Sequence, residues 1–101
     1  MDPAISEINI SDVVVSTAGR DQGELFYVID SDQQYLRLAN GKDRTLEKPK
    51  LKKRKHAKMV LRSETRVAAK ILSGDKVLNS ELRRDLAYLS QEMQSNNLGG
   101  F

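Results

Sequence analysis

Residues 13–29 read VVVSTAGRDQGELFYVI, and the rest of the chain is expected to be built around this stretch. Two short runs, 13–15 and 25–29, are rich in β-branched and aromatic residues, which is typical of strands. The polar segment between them contains Gly19 and Gly23. Glycine suits a bend because it adopts positive φ or lets another backbone come close. The stretch therefore predicts two strands that meet at a turn defined by these glycines.

Three further strands are predicted downstream. Alternation over residues 35–39 indicates a third strand with Leu36 and Leu38 facing inward. The following Asn-Gly pair at 40–41 is a strong hairpin signal, because a type I′ turn needs positive φ at both positions. It predicts a fourth strand at 43–46. A fifth strand near 57–60 would return the chain and let a small barrel close, which removes exposed strand edges.

The apolar spacing changes from two towards 3.6 after Arg62, which predicts two helices. Ser63 is expected to cap the first helix and Gly74 to end it, and Asn79 or Ser80 is expected to cap the second. The second helix carries an apolar stripe, for which packing within the chain is favoured and a partner helix or homodimer is the alternative. The stripe consists of Leu82, Leu86, Leu89 and Met93.

The strand-turn-strand stretch resembles the KOW motif of ribosomal proteins and transcription elongation factors. Gly23 stands where that motif has its central glycine. Gln22 and Phe26 depart from the pattern, since many members have a lysine and a later glycine at these places. The resemblance covers about residues 11–60. It implies an SH3-like barrel that binds structured RNA and is similar to large-subunit ribosomal KOW proteins of bacteria.

Together these observations predict a mainly β fold with an α appendage. A small SH3-like, KOW-type β-barrel is expected at 8–62, followed by a C-terminal two-helix segment at 63–94. The ends, 1–7 and 95–101, are expected to be flexible. A length of 101 residues suits one domain.

Positive charge is concentrated in one part of the chain. Residues 1–41 carry two basic and seven acidic groups, and residues 63–101 carry five of each. Residues 42–62 carry ten basic groups and two acidic ones. Such a concentrated block creates a local field that can act on a polyanion.

The densest part of this block is 48–58, where seven of eleven residues are basic. It is predicted to be a mobile loop between the fourth and fifth strands, with Leu51 as the apolar residue that holds it down and Pro49 at a sheet edge or in a loop. A solvated loop that keeps the barrel edge soluble is an alternative interpretation. A nuclear localisation signal, which KPKLKKRK also resembles, is another.

The favoured function is RNA binding, in a protein associated with the ribosome and therefore with ribosomal RNA. RNA is preferred to DNA only because of the KOW resemblance, since charge does not distinguish them. A protein-interaction adaptor for the transcription or translation machinery, acting through the barrel or the helical stripe, is the alternative, and a monomer is favoured. The residues expected to contact phosphates are Arg20, Lys42, Arg44, Lys48, Lys50, Lys52, Lys53, Arg54, Lys55 and Lys58.

Catalysis and metal binding have no residues to carry them in a recognised pattern. There are no cysteines and one histidine, His56, so that a structural zinc site is not expected and no cofactor is predicted. Aromatic residues are few, although Tyr35 beside Arg37 could stack on one base. No membrane span or signal peptide is recognised, and a cytoplasmic location is expected.

Overall fold

The computed structural model of the protein describes residues 8–99, with side chains for residues 8–94. Five strands form one antiparallel sheet, and two helices follow them. The elements in chain order are β1 (Asp12–Ser16), β2 (Leu25–Ser31), β3 (Tyr35–Ala39), β4 (Lys50–Lys53), a 3-10 turn (Arg54–His56), β5 (Ala57–Arg62), α1 (Arg66–Ser73) and α2 (Asn79–Gly99).

The turn between β1 and β2 has the geometry that only glycine adopts easily. Gly19 and Gly23 have φ angles of +87° and +90°, in the left-handed region. The Gly23 N–H donates to the carbonyl of Ser16 at 2.8 Å, which closes the turn. A side chain on Gly23 would meet nothing within 4 Å. The predicted bend is confirmed, and of the two reasons for glycine the positive φ is the one that applies at Gly23.

The sheet is strongly curved. Its strand order is β4-β3-β2-β1-β5, so β4 and β5 lie at opposite edges. A flat sheet of five strands would hold its edges about 19 Å apart. The three residues of the 3-10 turn join these two strands and span at most about 14 Å. The turn also bonds to both sides, because the Arg54 N–H donates to Gln34 beside β3 and His56 accepts from Thr17 beside β1.

The two faces of the sheet bury two separate apolar clusters. The concave face holds one cluster, and the two helices cover part of the other face and share the second cluster with the sheet. The concave cluster contains Ile8, Val14, Phe26, Val28, Leu36, Leu38 and Ala57. The helix-covered cluster contains Val13, Tyr27, Ala39, Val67, Ala68, Leu82, Leu86 and Leu89.

The predicted fourth strand at 43–46 is wrong. Asn40 does not have the positive φ that a type I′ hairpin requires, although Gly41 does. The Asn40 side chain instead accepts hydrogen bonds from the N–H groups of Lys42 and Arg44, at 2.9 and 3.1 Å. These bonds shape a long loop, and the fourth strand forms later, at Lys50–Lys53 within the basic block.

Both helices form, and the N-terminal cap of α1 differs from the one predicted. Thr65, not Ser63, caps α1, since its hydroxyl accepts from the Ala68 N–H at 3.2 Å. Gly74 ends α1 in the left-handed conformation, as predicted. Asn79 begins α2, but its side chain contacts the loop between β3 and β4: its Oδ1 accepts from the Leu46 N–H at 2.8 Å.

Helix α2 is also longer than predicted, because it continues through residues 95–99, which were assigned to a flexible end. The predictions for residues 1–7 and 100–101 lie outside the described residues.

A hydrogen-bonded cluster fastens the helices to the sheet. Tyr27 of β2 is fully buried and donates its hydroxyl hydrogen to Asp85 of α2. Ser63 therefore donates to the Tyr27 oxygen, at 2.8 Å. Thr65 donates to the same carboxylate at 2.8 Å. Burial and the negative charge of Asp85 raise the pKa of Tyr27 to about 12.

Candidate nucleic-acid interface

Strand β4 sorts the lysines of the basic block onto two faces. Lys52 pairs with Leu36 across the ladder and is 7% exposed, so it points into the concave face. Leu51 pairs with Arg37 and is 52% exposed on the outer face. The prediction that Leu51 holds the block down is therefore wrong, and the residue that does so is a lysine. Lys53 follows on the outer face and is exposed.

The Lys52 ammonium group is held by three oxygen atoms at the end of β1 and in the turn after it. It donates to Ser16 Oγ at 2.6 Å, to the Ala18 carbonyl at 2.8 Å and to Asp21 Oδ1 at 2.7 Å. All three of its N–H donors therefore have partners. Ser16 also donates to Asp21 Oδ1 at 2.7 Å. These bonds tie the edge strand β4 to β1 across the concave face.

The carboxylate of Asp21 is the counter-charge for two lysines. Lys50 lies 3.2 Å from Oδ2, which is close enough for an ion pair, although Oδ2 accepts no aligned hydrogen bond. Burial alone would raise the pKa of Asp21, but the hydrogen bonds from Lys52 and Ser16 and the ion pair with Lys50 outweigh it and hold the pKa well below its usual range. Asp21 therefore stays ionised at neutral pH and neutralises part of the basic block.

The predicted phosphate-binding residues thus differ in their exposure to solvent. Lys52 is buried and Lys50 is paired, so neither offers a free charge at the surface, and for Lys52 the predicted role is wrong. Arg44 is half-buried in the long loop. The cations that remain exposed are Arg20, Lys42, Lys48, Lys53, Lys55 and Lys58.

Arg54 connects the basic block to neighbouring segments. Its Nε donates to the Asp32 carbonyl at 2.7 Å, and its Nη1 donates to the Ile8 carbonyl at 2.9 Å. Its backbone N–H donates to Gln34 at 2.9 Å. The guanidinium group therefore positions the 3-10 turn, so that the block is ordered here and is not the mobile loop that the charge density predicted.

A shallow depression of about 340 Å³ lies where the β2–β3 turn meets the 3-10 turn. The residues that line it carry one aromatic ring, one amide and three cationic groups. They are Tyr35, which is half-buried, and Gln34, Lys53, Arg54 and Lys55. Tyr35 and Lys53 are direct cross-strand partners.

The helical stripe packs within the chain, which was the favoured interpretation. Leu82, Leu86 and Leu89 are buried in the helix-covered cluster, and Met93 is half-buried. Among the side chains that the structure describes, the large hydrophobic ones exposed on the helical side are Leu72, Leu78 and Tyr88.

Within residues 8–99, no group of three or more His, Asp or Glu side chains could hold a metal ion. No helix in the same part of the chain has the length and apolar character to cross a membrane. His56 is half-buried in the 3-10 turn, and its carbonyl accepts from the Thr17 N–H at 2.9 Å.

No protein-family model matches this chain, and a search of curated proteins finds no match. The KOW resemblance therefore rests on the amino-acid sequence of the strand-turn-strand stretch alone.

Sequence reasoning missed the role of Asp21, which had been counted only as one of the acidic groups of residues 1–41. It also left Gln34 out. No local signal marks Asp21 or Gln34, because their partners are distant in the sequence. Strand β4 brings residues 50–55 back beside 16–21 and 34–35. Such pairings follow from the strand order, which a single sequence does not encode locally.

Proposed function

We propose that this protein binds RNA by docking an ordered basic surface on phosphates, and that it does so as a ribosome-associated component of the cytoplasm. The observation that carries the proposal is the outward display of Lys53, Lys55 and Lys58 along β4, the 3-10 turn and β5. No acidic residue occurs between Lys48 and Arg62. A segment of exposed cations that contains no acidic residue of its own attracts polyanions and steers their approach.

The fold proposed for this function is the small SH3-like barrel of KOW proteins. The curvature supports it, because a sheet whose two edge strands are joined by three residues is close to closure. The buried Lys52 to Asp21 ion pair supports it too, since it links β4 to the end of β1. In this arrangement the β4 edge and its exposed lysines are fixed relative to the glycine turn.

Order in the basic segment matters for binding. A mobile lysine-rich loop loses conformational entropy when it meets RNA, whereas a strand and a 3-10 turn have already lost it. The bonds of Arg54 to Asp32 and Ile8 hold the turn before any ligand arrives. The exposed lysines then act as point charges for phosphates and carry little base specificity of their own.

The test is a salt titration of binding to ribosomal RNA fragments by the wild-type protein and by the triple variant Lys53→Gln, Lys55→Gln, Lys58→Gln. Each phosphate contact contributes roughly 0.7–0.9 to the slope of log affinity against log salt. The triple variant should therefore lose about 2–3 units of slope and keep its melting temperature.

A matched control removes three positive charges from the helical side, with Arg66→Gln, Lys76→Gln and Arg84→Gln, because all three side chains are exposed. It changes the net charge equally, so that a purely non-specific effect would lower the slope by the same amount. The proposal predicts a clearly smaller loss. Equal slopes for the wild type and for the triple variant of Lys53, Lys55 and Lys58, with both proteins folded, would refute RNA docking at this surface.

Cosedimentation from lysate tests the ribosomal association. Pelleting with ribosomal particles that is lost at high salt or after nuclease treatment is expected. Comigration with a protein after nuclease treatment would instead favour an adaptor role, for which the exposed Leu72, Leu78 and Tyr88 on the helical side offer apolar contacts.

A further inference from the structure

We infer that the depression beside the 3-10 turn accepts an unstacked nucleobase, with Tyr35 as its stacking surface, so that the RNA class this surface prefers is single-stranded or locally unpaired. The inference rests on the proposed RNA binding and assigns the substrate class of the same surface.

The composition of the depression is the first argument. Phosphates need only cations, yet Tyr35 and Gln34 line the depression together with Lys53 and Lys55. An aromatic ring offers a stacking face to any base, and an amide has both donors and an acceptor for a base edge. The combination of ring, amide and flanking cations matches a nucleotide better than it matches a bare phosphate.

The second argument is that the site is built before a ligand binds. Asp32 Oδ1 accepts from the N–H groups of both Gln34 and Tyr35, at 2.8 and 2.7 Å, and these two backbone bonds lower the pKa of Asp32. The Asp32 N–H donates to the Tyr35 carbonyl at 2.9 Å, and Arg54 bonds the Asp32 carbonyl. The turn that carries the ring and the amide is therefore fixed, which reduces the entropy lost on binding.

The third argument is the neighbouring surface. The register places Tyr35 and Arg37 of β3 on the same outward face as Leu51 and Lys53 of β4. Arg37 and Leu51 are exposed, so that an aliphatic side chain and a planar guanidinium group continue the face beyond the depression. This face therefore combines one aromatic ring with cationic groups, as surfaces that follow a single strand do.

These features favour unpaired over duplex RNA. In an A-form helix the bases are stacked on each other and present no free face to a protein ring. A base can reach Tyr35 only where it is unpaired, whereas the lysines can contact phosphates of either form.

The experiment compares two ten-nucleotide ligands of equal charge, a decauridylate and a decamer of abasic ribose phosphates. For the wild type, uridine should bind between about 5-fold and 150-fold more tightly, the range expected for one stacked base. The preference should persist in Tyr35→Phe, which keeps the ring. It should vanish in Tyr35→Leu, which keeps apolar bulk without a ring, while the salt slope stays unchanged.

The outcomes separate this inference from the proposed function. Equal binding of the two decamers by wild type, or a preference that survives Tyr35→Leu, would overturn the nucleobase site and leave phosphate docking intact. No salt-dependent binding of either decamer or of ribosomal RNA would overturn both. Melting curves of the two variants establish that each is folded, and Tyr35→Phe serves as the reference if Tyr35→Leu melts early.

Discussion

Substitution of Lys52 and of its neighbour Lys53 should have opposite consequences, although both belong to one run of basic residues. Lys52→Gln removes a buried cation from Asp21 and leaves the carboxylate with Ser16 and the more distant Lys50. Removing one partner of a buried ion pair costs about 3–5 kcal/mol. The glutamine amide and Lys50 can each compensate in part, so we expect a loss of about 2–4 kcal/mol in the free energy of unfolding.

Lys53→Gln changes an exposed side chain and should alter stability by less than about 0.5 kcal/mol. For a chain of this size, the Lys52→Gln loss corresponds to a fall in melting temperature of roughly 10–25 °C. Circular dichroism melts and urea unfolding of the two single variants give the comparison. Equal melting temperatures would mean that the Lys52 side chain lies in solvent, and the sorting of lysines by β4 would be refuted.

The pH dependence of the same pair gives an independent check. The pKa of Asp21 is lowered in the folded protein from an ordinary value of 3.8, so its charged form stabilises the fold above that value. This stabilisation decreases as the pH falls below it, because the unfolded chain then takes up a proton that the folded chain resists. The difference in stability between wild type and Lys52→Gln should be constant from pH 7 to pH 5 and shrink below about pH 4.

Two further predictions concern the backbone and the tyrosine cluster. Gly41→Ala should lower the free energy of unfolding by about 2–5 kcal/mol, because a Cβ there, at a φ of +75°, would lie 2.2 Å from the Asn79 carbonyl oxygen. Gly23→Ala should lower it by only about 1–2 kcal/mol, because Gly23, at a φ of +90°, has open space around it. Urea unfolding compares the two, and equal losses would mean that the loop does not approach α2 closely. The pKa of Tyr27 is raised to about 12, so the buried neutral tyrosine stabilises the fold fully below pH 10. As the pH rises towards 12, the free energy of unfolding should fall by up to about 2.7 kcal/mol. Unfolding at pH 9 and pH 11.5 should show this extra alkaline loss in wild type and not in Tyr27→Phe, and an identical alkaline loss in both would contradict the buried cluster.

The sequence predicted the elements whose signals are local. β1 and β2 lie where β-branched and aromatic runs occur, β3 lies where apolar residues alternate, and Gly74 ends α1 in the conformation that glycine favours. The apolar spacing of α2 correctly identified its buried face. In each case the residues that decide the structure are within a few positions of one another.

The failures arose where a distant partner overrides a local signal. Asn40-Gly41 is a hairpin signal, but the Asn40 side chain bonds its own loop, and Gly41 is needed for its close approach to Asn79. Residues 50–53 lack the composition of a strand. They form one because Asp21, about thirty residues earlier, compensates the charge of the lysine that faces inward. Asn79 was predicted as a helix cap, but its side-chain oxygen accepts a hydrogen bond from the distant Leu46 N–H.

The same division holds for the candidate site. Charge density alone identified the segment that carries the exposed lysines. Charge density could not tell the exposed lysines from the buried one. The alternation of β4 and the position of Asp21 decide which ammonium groups face solvent. Gln34 joins the surface because Tyr35 next to it pairs with Lys53, and the Arg54 N–H donates to its carbonyl.

The most direct test of RNA docking at this surface is a residue-by-residue map of the contact by amide NMR, with a ribosomal RNA fragment titrated into the isotope-labelled full chain. We expect the largest shifts at residues 34–35 and 53–58, and we expect them to reverse when salt is raised. Shifts confined to α1 and α2, or no shifts at an RNA concentration that saturates binding, would refute RNA docking at this surface.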